Sequence, residues 1–200
     1  MNPILLTAAG NPENQDRGIV IQDGLRTVVC VADGAGGITG GLQAAIMATE
    51  LLRHHAQQLD TPDACLELLR RMDTAISKDS IAGETTCACA VLQSGEVFGA
   101  SVGDSGVWLI SDAGAPIDLT GAQQRKPLVG SGGAWPVPFR HSTKDGLLLL
   151  ATDGLLKYAS AKAIVETCRQ FSVEVSAPRL IELVRYPSEA FPDDVTLILI

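Results

Sequence analysis

Five acidic positions recur where apolar stretches begin or end. They are Asp16 in NPENQD, Asp33 in VVCVADGAGG, Asp104 in SVGDSG, Asp153 in LLLLATDG, and Asp193 beside Asp194 in PDDVT. A bare carboxylate at the mouth of a core strand is costly unless positive charge meets it. Any one of these acids has a bland reading, and Asp153 in particular could cap a following helix. The set is harder to dismiss. In a chain with only three histidines, repeated carboxylates point to a hard cation held by oxygen, magnesium or manganese rather than zinc.

The elements that must position these acids follow from the apolar pattern. GIVIQ and LRTVVCVA read as two strands joined by the Asp23-Gly24 turn, and Asp145-Gly146 reads as a similar hairpin start. The other two Asp-Gly pairs, at Asp33 and Asp153, instead follow apolar strands and precede helices. Leu42, Ala45, Ile46, Thr49, Leu52, Ala56 and Leu59 recur at helical spacing. Thr61-Pro62 is a cap followed by proline at the first helical position, and Cys65, Leu66, Leu69, Met72 and Ile76 line the next helix. TTCACAVLQ, EVFGASVGD and GVWLIS read as strands, with Ser94-Gly95 as a turn. The stretch 112–138 is rich in glycine and proline and irregular. A buried strand in LLLLA, helices near 160–170 and 177–185 and a last strand in DVTLILI complete the chain. Strand runs separated by helix pairs, without regular alternation, predict an α+β fold with antiparallel sheets and one domain.

Composition narrows the function. The chain has 200 residues, 46% of them hydrophobic and 19% charged, with a net charge of −8. No basic cluster is present, which argues against a nucleic-acid partner. No stretch reaches the roughly 20 apolar residues of a membrane helix, and the N-terminus lacks a signal pattern, so the protein reads as cytoplasmic. The five cysteines are odd in number and unpaired in spacing, so they read as packed thiols rather than zinc ligands or disulfides.

ENQD, VADGAGG, GETT, SVGDSG, LLLLATDGLL and PDDVTLILI occur in the order found in metal-dependent protein phosphatases of the PPM (type 2C) family, which the chain resembles from about residue 7 to its end. The resemblance implies an α-β-β-α sandwich of two antiparallel sheets flanked by helix pairs. It implies two Mn2+ or Mg2+ ions, with a third, weaker one. Asp33 would bridge the pair and the Gly34 carbonyl would complete one sphere, the glycines letting backbone oxygen approach. Asp153 and Asp193 would bind the other ion, Asp16 would hold nearby waters, and Asp104 would help hold the third. Thr85 and Thr86 would serve local structure. The implied reaction is hydrolysis of phosphoserine or phosphothreonine in proteins, the products of a Ser/Thr kinase, by a water that the two ions activate. A monomer is expected.

Several positions depart from the family pattern. Asn11 stands where an arginine commonly grips phosphate, and an amide supplies neither charge nor a bidentate fork. Arg17, Arg125, Lys126 and Arg140 are the bases that could compensate, though each reads first as a surface residue. Ala35 stands where a histidine acid sometimes occurs, and His54, His55 and His141 fall at no motif position. The flap region, about 112–145, reads as shortened, implying an open site. Trp135 within it is either a recognition surface or packed on the sheet edge. Asn11 and the short flap motivate two alternatives, a catalytically weak or inactive regulatory binding module and a hydrolase of small phosphorylated metabolites.

Overall fold

The computed structural model of the chain describes residues 2–35, 39–143 and 146–200. Among the described residues ten strands form two five-stranded sheets, and every ladder is antiparallel. One sheet holds β2 (Asp16–Asp23), β3 (Arg26–Asp33), β4 (Cys87–Gln93), β5 (Glu96–Val102) and β8 (Val137–Ser142), in that spatial order. In the other, the order is β1 (Ile4–Ala8), β10 (Val195–Leu199), β9 (Leu147–Ala151), β6 (Gly106–Ile110) and β7 (Ile117–Asp118).

The apolar runs of the sequence are long because these strands are buried on both faces. In β3, Val29 and Val31 point between the sheets and meet Leu148, Leu150 and Ile198. The alternate residues Val28, Cys30 and Ala32 pack under helices α1 (Gly41–His55) and α2 (Pro62–Ile76). The second sheet does the same with Leu149, Ala151, Leu197 and Leu199, which lie under α4 (Ala161–Gln170) and α5 (Val173–Glu182). Burial of each large aliphatic side chain contributes about 1.5–3 kcal/mol, so the three apolar layers hold the two sheets at a fixed separation. The expected α-β-β-α sandwich is thereby found, with helices outside both sheets.

Local signals placed most elements. The Thr61 hydroxyl accepts the Ala64 N–H and Pro62 opens α2. Gly24 and the pair Ser94-Gly95 turn their hairpins with positive φ. Three readings need correction. Ile4–Ala8 is a strand, paired with β10, where the sequence suggested none. Asp16 therefore opens the second strand rather than preceding the first. Helix α5 runs from 173 to 182 rather than 177 to 185, with Pro178 inside it. The expected hairpin at Asp145-Gly146, and glycines 36 and 37 after Asp33, lie outside the described residues in whole or part. Among the described residues no helix is long and apolar enough to cross a membrane. All five cysteines are buried and unbridged, as packed thiols should be.

Candidate active site

The ends of β2, β3, β9 and β10 and the turn after β5 meet at one edge of the sandwich, around a cavity of about 260 Å³. Asn11, Asp33, Gly34, Asp104, Asp153 and Asp193 all line it. Asp16 is 2% exposed and stands behind the wall, directly opposite Asp33 in the β2–β3 ladder. Its Oδ2 accepts a 2.7 Å hydrogen bond from the Thr152 hydroxyl, while its Oδ1 is buried without a partner.

Asp33 is held through its backbone. Its N–H donates to the Thr86 hydroxyl at 3.0 Å, and its carbonyl accepts from the Thr85 hydroxyl and the Thr86 N–H. The two threonines thus serve as local structure, leaving the carboxylate free to face the cavity. A Cβ on Gly34 would lie 2.4 Å from the Gly41 carbonyl carbon, and one on Gly154 would lie 1.9 Å from the Asp194 carbonyl oxygen. Each glycine after a site aspartate is therefore demanded by close backbone packing, a reason the sequence did not reveal.

Asp153 is the first residue of a short helix, α3 (Asp153–Leu156), whose cap position belongs to Thr152. The capping reading of Asp153 is thus corrected, and its carboxylate is spent on the cavity. Asp193 and Asp194 divide their work. Asp193 accepts from the Asn11 side-chain amide at 3.2 Å and faces the cavity. Asp194 is 4% exposed and accepts the backbone N–H groups of Gly10, Asn11 and Gln15, pinning the 10–15 loop against β10.

Crowded, buried carboxylates resist ionisation. Burial pushes Asp33 up to about 9, reinforced by the charges of Asp16, Asp153, Asp193 and Asp104. Burial likewise raises Asp16 to about 7, with the Thr152 hydroxyl opposing the rise. Asp153 is also raised, by burial and then by Asp104 and Asp193, with Lys157 opposing. Positive charge comes from Arg125, whose Nε meets Asp104 at 2.5 Å, and from Lys157, 3.8 Å from Asp153. Among the described residues no group of three His, Cys, Asp or Glu side chains is closed tightly enough to hold an ion as it stands. The donor set nonetheless fits a hard divalent cation: oxygen ligands only, mutually repelling, with one buried carboxylate oxygen unpartnered.

Sequence reasoning missed Lys157, although a lysine one turn after Asp153 in ATDGLLK was a readable signal. It also gave Arg125 too little weight. Arg17 bonds the carbonyls of Asn14 and Asp16, and Arg140 faces Glu96 and the Phe98 ring, so neither serves the cavity. Trp135 is 67% exposed, so most of its surface is open to solvent.

A family model described as Stage II sporulation protein E (SpoIIE) matches residues 23–200. The chain belongs to the SpoIIE family. This agrees with the PPM-type resemblance of its motifs. Among curated protein sequences none matches. Solved structures similar to this SpoIIE-family chain include a bacterial serine phosphatase, 19% identical, with a TM-score of 0.88 over 100% of this chain and 96% of that one. Serine/threonine phosphatase Stp1 from Staphylococcus aureus is 19% identical, with a TM-score of 0.79 over 98% of this chain and 93% of that one. The catalytic domain of serine/threonine protein phosphatase PstP in complex with two manganese ions is 20% identical, with a TM-score of 0.79 over 99% and 96% of the two chains. At these identities the likeness establishes a shared fold, and the SpoIIE-family chain has the sandwich that its motifs implied.

Proposed function

We propose that the chain is a single PPM-type domain that hydrolyses phosphoserine or phosphothreonine in proteins, in a manganese- or magnesium-dependent reaction. The observation that carries this reading is the pairing of Asp16 and Asp33. Like charges directly opposite in an antiparallel ladder destabilise it, and here Asp16 is buried and Asp33 is half-buried at the cavity wall. A fold keeps such a pair where a cation neutralises it. The solved structure of PstP with two manganese ions supports the same assignment.

Asp33, the Gly34 carbonyl, Asp153 and Asp193 would hold the ions, with Asp16 behind them and Asp104 beside. When bound, they supply Lewis acidity toward the phosphoryl group and its attacking water. The chain's own residues fix the geometry. Thr85 and Thr86 clamp the backbone of Asp33, Thr152 orients Asp16, and Asp194 fastens the loop that carries Asn11. Among the described residues the cavity wall holds no histidine and no cysteine, so a phosphohistidine or phosphocysteine intermediate has no residue there to form on. Phosphoryl transfer needs positioning and charge more than covalent help, and this wall supplies both.

A second cavity of about 530 Å³ adjoins the first and shares Asp104, Arg125, Asp153 and Lys157 with it, with Trp108 and Leu156 in its lining. Such room beside the phosphate position suits a polypeptide better than a small metabolite. The substrate is then the product of a Ser/Thr kinase, and five buried free thiols suit a reducing cytoplasm. The test is turnover: with excess Mn2+, the protein should release phosphate from phosphoserine and phosphothreonine peptides faster than from small phosphate esters. Binding of phosphopeptides without turnover would instead favour the regulatory module, a reading that Asn11 and the absence of a closed three-acid group among the described residues support.

A further inference from the structure

Five aspartates line a cavity that must admit a phosphate dianion, and the position expected to grip that dianion carries a neutral amide already engaged with Asp193. We propose that Arg125 supplies the phosphate grip in its place, binding phosphoryl oxygens with its Nη edge while Asp104 holds its Nε. This rests on the phosphatase reading and deepens it by naming the substrate-binding residue.

Arg125 lies on the loop between β7 and β8 and lines the same cavity as Asn11. Its Nε donates to Asp104 Oδ2 at 2.5 Å. Its Nη2 stands 3.9 Å from Asp153 Oδ2, beyond hydrogen-bond reach, so that attraction is Coulombic only. Among the described residues neither Nη makes a hydrogen bond. A guanidinium held side-on through Nε has its plane fixed and its two outer nitrogens available. That edge is the fork that matches two phosphoryl oxygens. The side chain is 70% exposed and lines both adjoining cavities, so an incoming phosphoresidue meets it without rearrangement of the core.

The loop that carries it is braced at several points. Asp73 of α2, 6% exposed, accepts the N–H groups of Gly130, Gly132 and Ala134. The Gln123 side chain accepts from the Ser101 hydroxyl and donates to the Trp135 carbonyl. A glycine- and proline-rich segment therefore presents one arginine at a defined place. Lys126 also lines the cavity, but an ammonium lacks the fork.

The experiment compares the full chain with Arg125→Ala, Arg125→Lys, the double variant Asn11→Arg with Arg125→Ala, and Arg140→Ala as a surface control. Affinity for inorganic phosphate is measured by calorimetry with Mg2+ present, and KM and kcat are measured on a phosphoserine peptide. Arg125→Ala should weaken phosphate binding and raise KM by about tenfold or more, the loss of a charge-assisted bidentate contact. Arg125→Lys should fall between it and the parent, and arginine at position 11 should restore binding. Arg140→Ala should match the parent, and melting temperatures should agree throughout. The proposal is overturned if the parent binds no phosphate, or if Arg125→Ala binds it as the parent does. A parent that binds phosphate through Arg125 but releases none from the peptide would keep the grip and sink the hydrolase reading. Turnover that is indifferent to Arg125 would do the reverse.

Discussion

Asp16 and Asp33 stand directly opposite one another where β2 and β3 open onto the cavity, one carboxylate buried and the other half-buried at a ladder position that normally excludes like charges. Both are pushed upward by burial, to about 7 and about 9. The folded state therefore holds these protons more tightly than the unfolded chain. The stability this confers is fully present below the ordinary carboxylate range and is lost as pH rises through those two values. The metal-free protein should melt at a lower temperature at about pH 9 than at about pH 5. Asp33→Asn should flatten that fall and stabilise the metal-free protein by about 1 kcal/mol or more at the alkaline end, since one unit of pKa corresponds to that energy. Thermal melts across pH check this, and an unchanged profile would contradict it.

Divalent cations should reverse the same repulsion. Mn2+ should raise the melting temperature of the parent protein, by about 3 kcal/mol of stability at a hundredfold excess over its dissociation constant. Asp33→Ala and Asp153→Ala should lose most of this gain along with turnover. Differential scanning calorimetry with and without a chelator reads the stability term apart from activity.

The Thr152 hydroxyl is a polar contact that crosses between the sheets at the site, donating to Asp16 and accepting the Thr196 N–H at 2.9 Å. Thr152→Val keeps the shape and removes both bonds, leaving buried groups unsatisfied. A loss of about 1–3 kcal/mol in stability follows, with weaker Mn2+ binding because Asp16 is no longer oriented. Denaturant titration and calorimetry measure the two effects.

Asp73 holds the loop that carries Arg125 through three backbone N–H groups. Asp73→Ala should cost about 1–3 kcal/mol and raise KM for a phosphopeptide more than it lowers kcat, because the loop positions binding rather than chemistry. Hydrogen exchange at Gly130 and Gly132 should quicken in the variant; protection equal to the parent's would contradict the assignment.

Much of the architecture was written locally. Strands buried on both faces appear as unbroken apolar runs, so β3, β4, β9 and β10 were readable, and Thr61-Pro62 marked α2 without ambiguity. β1 was not readable. Its five residues alternate between half-buried and exposed, and the strand it pairs with, β10, lies at the other end of the chain, so no local pattern announces it.

The chain alone determined which acids stand at strand ends and in what order, because a carboxylate beside an apolar run is conspicuous in any fold. Only the tertiary structure decided what each one does. Asp193 and Asp194 are neighbours of the same type, yet one faces the cavity and the other gathers three backbone N–H groups from a loop some 180 residues away in sequence. Arg125 reads as one more surface base until Asp104 fixes its Nε and loop contacts turn it toward the acids. Residue type sets what a side chain can do, and long-range packing sets what it meets.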